Sequence, residues 1–368
     1  MSILDIAIQK NLRPQRRTRE ECQGTLRDSP EWGSIFTDHM VTGKFSPNDG
    51  WHDFQVRPFG KFELHPATSA LHYGQSIFEG LKAYQQMDGS VSAFRPEMNA
   101  RRFAASATRL AMPPLPEDIF LASLAALVEA DREWVPETYG QSLYLRPLMF
   151  SCDARLMTGP SQTYQFVLMA APVADYFSKG IRPVTVWVSS EYVRAVKGGV
   201  GEAKCAGNYA ASFIAQKEAA DHGCDQVVWL DAIDRETVEE MGGMNIFFVL
   251  RDESQPVLVT PRASGSLLKG VTRDTILTLA SDMGYRAEAR RVTLEEWRKG
   301  CESGQVAEAF ACGTAAVITP IGHVKSAGMN FSIGDGQTGE LTAVLRKALL
   351  DIQHGRSVDA HGWRYKLA

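Results

Sequence analysis

The chain has 368 residues, enough for two domains that each bury their own core. A formal net charge of −4 at pH 7 excludes a dedicated nucleic-acid or anionic-membrane surface, and no apolar run approaches the ~20 residues of a spanning helix. Six cysteines (Cys22, Cys152, Cys205, Cys224, Cys301 and Cys312) form no C-x-x-C pair and read as the reduced thiols of a cytoplasmic protein. The eight histidines make no ligand cluster, so no metal is expected.

In chain order, residues 1–31 read as a solvated arm with one short helix and an arginine patch (Arg13, Arg16, Arg17, Arg19). Strands and turns follow to Tyr84, ending in the apolar, aromatic stretch LHYGQSIFEGLKAY, Leu71 to Tyr84. Met87-Asp88-Gly89 is a hairpin turn. Glu97–Met112 and Glu117–Trp134 have helical apolar faces and are separated by Pro113, Pro114 and Pro116. SLYLRPLMFS and TYQFVLMAAPV read as strands, the first ending at Pro147. With so little β-α-β alternation, residues 1–173 form an α+β domain. The stretch 174–183, with Gly180 and Pro183, reads as a linker, and 184–368 as a larger domain of mixed sheet and helices. There, strands are expected at Val184–Ser190, QVVWLD, MNIFFVL, VLVTP and YRAEARRV, and helices at Thr272–Met283, after Thr293 and over Glu340–Gln353.

Four features could carry chemistry. Lys204 follows the glycine-rich run Gly198–Gly201 on a flexible turn, five residues before Tyr209 and a helical pattern that Gly223 stops. An amine that attacks a carbonyl must lose its proton, which partial burial or nearby positive charge favours. Glu240, in VEEMGGMN, stands at a turn before a buried strand and could hold a proton on a ring nitrogen; its neighbour Glu239 reads as an exposed turn carboxylate. Gly270, Val271 and Thr272 open a helix whose free amides favour a phosphate, with Arg102 as an available cation and Cys312–Ala316 as a second small-residue turn. Tyr144 and Arg146 share one strand face, where an arginine is either half of a structural ion pair or a carboxylate receptor. The glycine run is neither a P-loop nor a dinucleotide fingerprint, because the required spacing is absent.

LHYGQSIFEGLKAY, FRPEMNARR, YLRP, GGVGEAKCAGNYAAS, EEMGGMN, GVTRDTIL and CGTAA follow one another in an order that resembles the branched-chain amino acid aminotransferases. These are fold-type-IV enzymes, D-amino acid aminotransferase-like, that use pyridoxal 5′-phosphate. The resemblance spans Phe36 to Pro320 and implies transfer of the amino group between Leu, Ile or Val and 2-oxoglutarate. It implies that Lys204 binds the cofactor covalently and is the catalytic base. Tyr209 would bond the ring's phenolic oxygen and Glu240 its nitrogen. Arg102, Leu268, Gly270, Val271, Thr272 and Thr314 would complete the cofactor site. Phe36, Tyr73, Phe78 and Leu156 would line the substrate pocket, with Tyr144 and Arg146 at its polar edge and Thr314 and Ala315 receiving the α-carboxylate. Tyr73 and Leu156 would reach in from the second subunit of a homodimer. Mammalian members carry a C-x-x-C pair where this chain has Ala316 and Thr319, so a dithiol switch there is not expected. A D-amino acid aminotransferase, an amine transaminase, an aminodeoxychorismate lyase or a non-catalytic anion-binding protein remain the alternatives.

Overall fold

The computed structural model describes residues 7–26, 31–174 and 182–368. The chain divides into two compact units: Met1–Ser178 with Ala203–Ala206 and Asp351–Ala368, and Lys179–Glu202 with Gly207–Leu350. The segment expected as a linker lies largely outside the described residues. Two pieces of the expected second domain, the one holding Lys204 and the C-terminal eighteen residues, therefore belong to the first unit.

The first unit contains β1 (Gln9–Lys10), α1 (Arg19–Gly24), β2 (His39–Ser46), β3 (Gly50–Pro58), α2 (Ser69–Tyr73), β4 (Ser76–Phe78), β5 (Leu81–Gln85), β6 (Val91–Phe94), α3 (Pro96–Arg109), α4 (Glu117–Ala130), β7 (Ser142–Ser151) and β8 (Tyr164–Val173). Its sheet runs β1-β3-β2-β8-β7-β5-β6, with β4 also on β7, and is antiparallel except at β1–β3. A final strand near the C-terminus, Arg364–Lys366, completes it by pairing with β6.

Helix α3 buries Asn99, Ala100, Phe103, Ser106 and Ala107, the three-and-four spacing of one helical face. Phe103 packs 5.7 Å from Phe120 of α4 and 6.1 Å from Phe166 of β8, which fixes α3 against the sheet. Strand β7 does not stop at Pro147 but continues to Ser151. Proline costs the ladder only a donor; Pro147 lies between the stretches paired with β5 and β4, and its carbonyl accepts the Glu79 N–H at 2.8 Å. The described part of the arm is largely exposed through Glu21, as expected of a solvated arm, but it is tied to the body of the unit. Arg13 and Arg17 pair with buried Asp38 at 3.2 and 3.7 Å, and Arg17 lies over the Trp134 ring.

The second unit follows with β9 (Val184–Val188), α5 (Ala206–Ala210, whose first residue belongs to the first unit), α6 (Phe213–Asp221), β10 (Gln226–Leu230), β11 (Val238–Met241), β12 (Met244–Leu250), β13 (Val257–Pro261), α7 (Val271–Asp282), β14 (Arg286–Arg290), α8 (Leu294–Glu302), β15 (Val306–Gly313), β16 (Val317–Ser326), β17 (Met329–Ser332) and α9 (Glu340–Gln353, whose residues from Asp351 on belong to the first unit). The last element of the chain, β18, is the Arg364–Lys366 strand of the first unit. The sheet order is β11-β10-β9-β16-β15-β12-β13-β14, and a further β11–β12 pairing closes six of these strands into a ring. All four residues of β11 are consequently buried, Glu239 and Glu240 included. That overturns the reading of Glu239 as an exposed turn carboxylate and moves Glu240 from a turn into a strand. The turn is Gly242-Gly243.

Candidate active site

Lys204 is not on a flexible turn. Its backbone N–H donates to Ser106 Oγ of α3 at 2.9 Å, and its carbonyl accepts the Phe78 N–H at 2.9 Å. Cys205 adds a bridge to Ile77. With the main chain held on both sides, the amine Nζ lies 5.0 Å from the centre of the Phe78 ring. Next to Phe78, Glu79 is fully buried and binds the fork of Arg102, Oε1 to Nε at 2.7 Å and Oε2 to Nη2 at 2.9 Å. Oε2 also accepts from Asn99 at 2.8 Å and from the Gly80 N–H at 3.2 Å. Burial pushes the Glu79 carboxyl up, but the Arg102 charge and hydrogen bonds, helped by Lys204 and Asn99, outweigh it and hold the group below the usual carboxylate range.

The same Phe78 ring carries a second cation. The Arg146 guanidinium lies 4.7 Å from Phe78 and 5.2 Å from Tyr144, and its Nη2 donates to the Tyr144 hydroxyl at 2.8 Å. Tyr144 and Arg146 thus share a face, as their spacing requires. Among the described residues no carboxylate pairs with Arg146, and its buried Nε lacks a hydrogen-bond partner. Gly80 must be glycine here, because a Cβ would overlap the Tyr144 hydroxyl. Phe36, Tyr73 and Leu156 are each exposed in the same unit: Phe36 stacks on Phe59 at 4.8 Å, and the Tyr73 hydroxyl donates to the Leu156 carbonyl at 2.5 Å.

In the second unit Glu240 is gripped from three directions. Arg194 Nε meets Oε2 at 2.9 Å, while the Leu268 N–H (2.9 Å) and the Asn245 amide (3.2 Å) donate to Oε1. Glu240 and Asn245 are register partners across β11 and β12, which aims their side chains to one side. Arg194 also donates to the carbonyls of Gly201 (3.4 Å) and Ser266. The glycine run serves close packing: a Cβ at Gly201 would run into the Ser266 carbonyl. A Cβ at Gly243 would lie 3.5 Å from the Tyr209 ring, so Tyr209 covers the turn after Glu240.

Helix α7 opens at Gly270 without a side-chain cap, leaving the amides of Val271 and Thr272 in the first turn. Gly270 packs so closely on the Asn245 carboxamide that a Cβ would collide with its Oδ1. Thr314, Ala315 and Ala316 make the turn between β15 and β16. Cys312, just upstream, is a buried free thiol whose pKa burial pushes up.

The profile of the amino-transferase class IV family matches residues 76–324. A branched-chain-amino-acid aminotransferase of Mycolicibacterium smegmatis is 50% identical over 365 residues, covering 99% of this chain and 98% of that protein. The chain belongs to the class IV aminotransferases, among the branched-chain aminotransferases. The branched-chain amino acid aminotransferase of Escherichia coli has a similar structure, with TM-score 0.74 and 26% identity over 90% of this chain and 99% of that one. The branched-chain aminotransferase of the thermophilic archaeon Thermoproteus uzoniensis, solved with norvaline, matches with TM-score 0.74 and 25% identity, covering 90% and 100%.

Sequence reasoning about this aminotransferase missed Glu79, Ser106, Arg194 and Asn245. Glu79 left a signal, a carboxylate inside the otherwise apolar run SIFEGL. Arg194 and Asn245 left none, since their importance comes from where the chain folds back on Glu240.

Proposed function

We propose that this enzyme uses pyridoxal 5′-phosphate to move the amino group between L-leucine, L-isoleucine or L-valine and 2-oxoglutarate, giving branched-chain 2-oxo acids and L-glutamate. Arg146 carries this reading. It is a guanidinium seated on two aromatic rings with no protein carboxylate as partner among the described residues, beside the ring that also faces Lys204. Aromatic walls accept an aliphatic side chain, and the guanidinium accepts the distal carboxylate of glutamate. One methylene changes affinity by only ~1–3 kcal/mol, so the three branched substrates are accepted alike.

The residues present suit the cofactor. Glu240 is a buried carboxylate fixed by two hydrogen-bond donors and the Arg194 charge, and α7 offers amides without a side-chain cap. Arg102, Val271, Thr272 and Thr314 would hold its phosphate, with Leu268 and Gly270 beside them, and Tyr209 the ring's phenolic oxygen. When bound, the cofactor supplies an electron-poor ring that stabilises negative charge at the substrate Cα. Glu240 would favour a proton on the ring nitrogen through its own charge. Lys204 would be the residue that anchors the cofactor, and its free amine Nζ would take the Cα proton of the substrate. Thr314 and Ala315 receive the α-carboxylate, and Phe36 and Phe78 flank the side chain.

The exposed apolar residues Tyr73 and Leu156, in contact with one another, and the exposed Leu71 and Met157 near them in the chain support a homodimer in which Tyr73 and Leu156 complete the partner's pocket. Among the described residues no helix is long and apolar enough to cross a membrane, in keeping with the proposed cytoplasmic enzyme. Measuring amino transfer to 2-oxoglutarate from L-leucine and from D-alanine tests the reading. Transfer from leucine and none from D-alanine is expected; a preference for D-alanine overturns it.

A further inference from the structure

Strand β11 carries two adjacent buried carboxylates that point to opposite faces. Glu240 belongs to the site above. Glu239 lines a cavity of about 220 Å³ in the second unit. Its Oε1 accepts from the hydroxyls of Ser264 (3.1 Å) and Ser266, whereas its buried Oε2 receives no hydrogen bond. A buried carboxylate oxygen without a donor is costly, so a ligand bringing an N–H there gains more than it would in water.

The other charged walls sort themselves. Asp231 is occupied by the backbone amides of residues 233, 234, 236 and 237. Arg290 pairs with Glu288 and Glu296, and Arg291 with Glu236. Lys197 and Arg262 line the cavity, are exposed, and have no carboxylate partner among the described residues. Val196, Ile233 and Leu267 supply apolar wall. The cavity therefore brings together a buried carboxylate with one oxygen that accepts no hydrogen bond, two solvent-facing cations without a carboxylate partner among the described residues, and an apolar surface.

We propose that this cavity is a second, non-catalytic binding site for a free apolar α-amino acid, with its ammonium on Glu239 and its carboxylate on Arg262 and Lys197. An inorganic anion would face the Glu239 carboxylate unrelieved, and a simple amine would leave both cations unused. The cavity is also placed to matter for turnover. Ala195, Glu239 and Leu267 line it, and they are the chain neighbours of Arg194, Glu240 and Leu268, the ion pair and amide contact at the heart of the Glu240 site. An occupant that shifts any of these walls shifts the grip on Glu240.

Calorimetric titration of L-leucine into the holoenzyme in its pyridoxamine form, which cannot transaminate an amino acid, tests the site. The expected binding event weakens at least about tenfold in Glu239→Gln and in Arg262→Ala, the loss of one charge-assisted contact each, and persists in Lys204→Ala. Arg262 is exposed, so that variant remains informative if Glu239→Gln fails to fold. Absence of binding, retention of full affinity in either folded variant, or loss confined to Lys204→Ala overturns the proposal. If leucine binds here but is not turned over, the functional reading fails while this site stands.

Discussion

Glu79 and Arg102 meet at 2.7 Å in the first unit, and Arg194 and Glu240 meet at 2.9 Å in the second; all four side chains are nearly buried. The first pair is a tie between two elements. The carboxylate leaves the stretch between β4 and β5 and takes both its arginine and its asparagine from α3, a helix anchored on the sheet by Phe103. The second pair is a hub, in which one arginine joins β11 to two loops through the carbonyls of Gly201 and Ser266. In the proposed roles the functional partner also switches: the arginine of the tie addresses a phosphate, and the carboxylate of the hub addresses a ring nitrogen. A buried ion pair is costly unless further hydrogen bonds support it, and each unit supplies that support with different structure.

The largest effect is expected outside both pairs. Lys204→Ala should cut turnover by at least ~10²–10⁴-fold, the range of a lost acid–base group. Its thermal unfolding should stay near that of the parent, because the backbone contacts to Ser106 and Phe78 do not involve the amine. Loss of fold instead would make Lys204 part of the structural frame.

Arg146 sharpens the contrast, being a half-buried arginine seated on rings rather than on a carboxylate. A hydrogen bond to a charged group is worth ~1.5–3 kcal/mol, or roughly 10–150-fold. Arg146→Met should lower kcat/KM for glutamate and 2-oxoglutarate by about that factor and spare leucine. Equal losses in the two half-reactions would remove its role as a carboxylate receptor.

The smallest effect is on the stability of the tie. The folded-state pKa of Glu79 is depressed, so its contribution is present above the unfolded carboxyl pKa of ~4.3 and fades as pH falls through the lower folded value. Glu79→Gln should therefore lower Tm at pH 7, with the gap to the parent protein closing in acid. A gap that is independent of pH would mean that the charge is not what holds Arg102.

Much of this was legible in the sequence. The strands MNIFFVL and VLVTP and the helix Glu340–Gln353 sit where their patterns place them, because each is a long, clearly bounded apolar period. Glu239 misled because its neighbours, a carboxylate and two glycines, read as a turn, whereas β11 pairs on both edges, with β10 and β12, and the Glu239 side chain is covered by Ser264 and Ser266. Pro147 misled because a proline in a central strand is tolerated only where the neighbouring strands leave a gap, which local sequence does not show. The C-terminal strand was missed because its partner, β6, lies some 270 residues upstream along the chain (Arg364 opposite Phe94). Lys204 and Glu240 are singled out by their motifs; the groups that hold them, Ser106 and Arg194, are contributed from elsewhere in the chain.

The division of labour between the two pairs is tested most directly by measuring, in Glu79→Gln and Glu240→Gln side by side, the affinity for pyridoxal 5′-phosphate and the single-turnover rate of Cα proton removal from L-leucine at saturating cofactor. The tie variant should bind the cofactor about tenfold more weakly, because an amide cannot accept both donors of the Arg102 fork, and should then remove the proton at nearly the parent rate. The hub variant should keep the cofactor and remove the proton far more slowly, because an amide cannot stabilise a protonated ring nitrogen. The same pattern of losses in both variants, or an unchanged proton step in Glu240→Gln, would contradict the account.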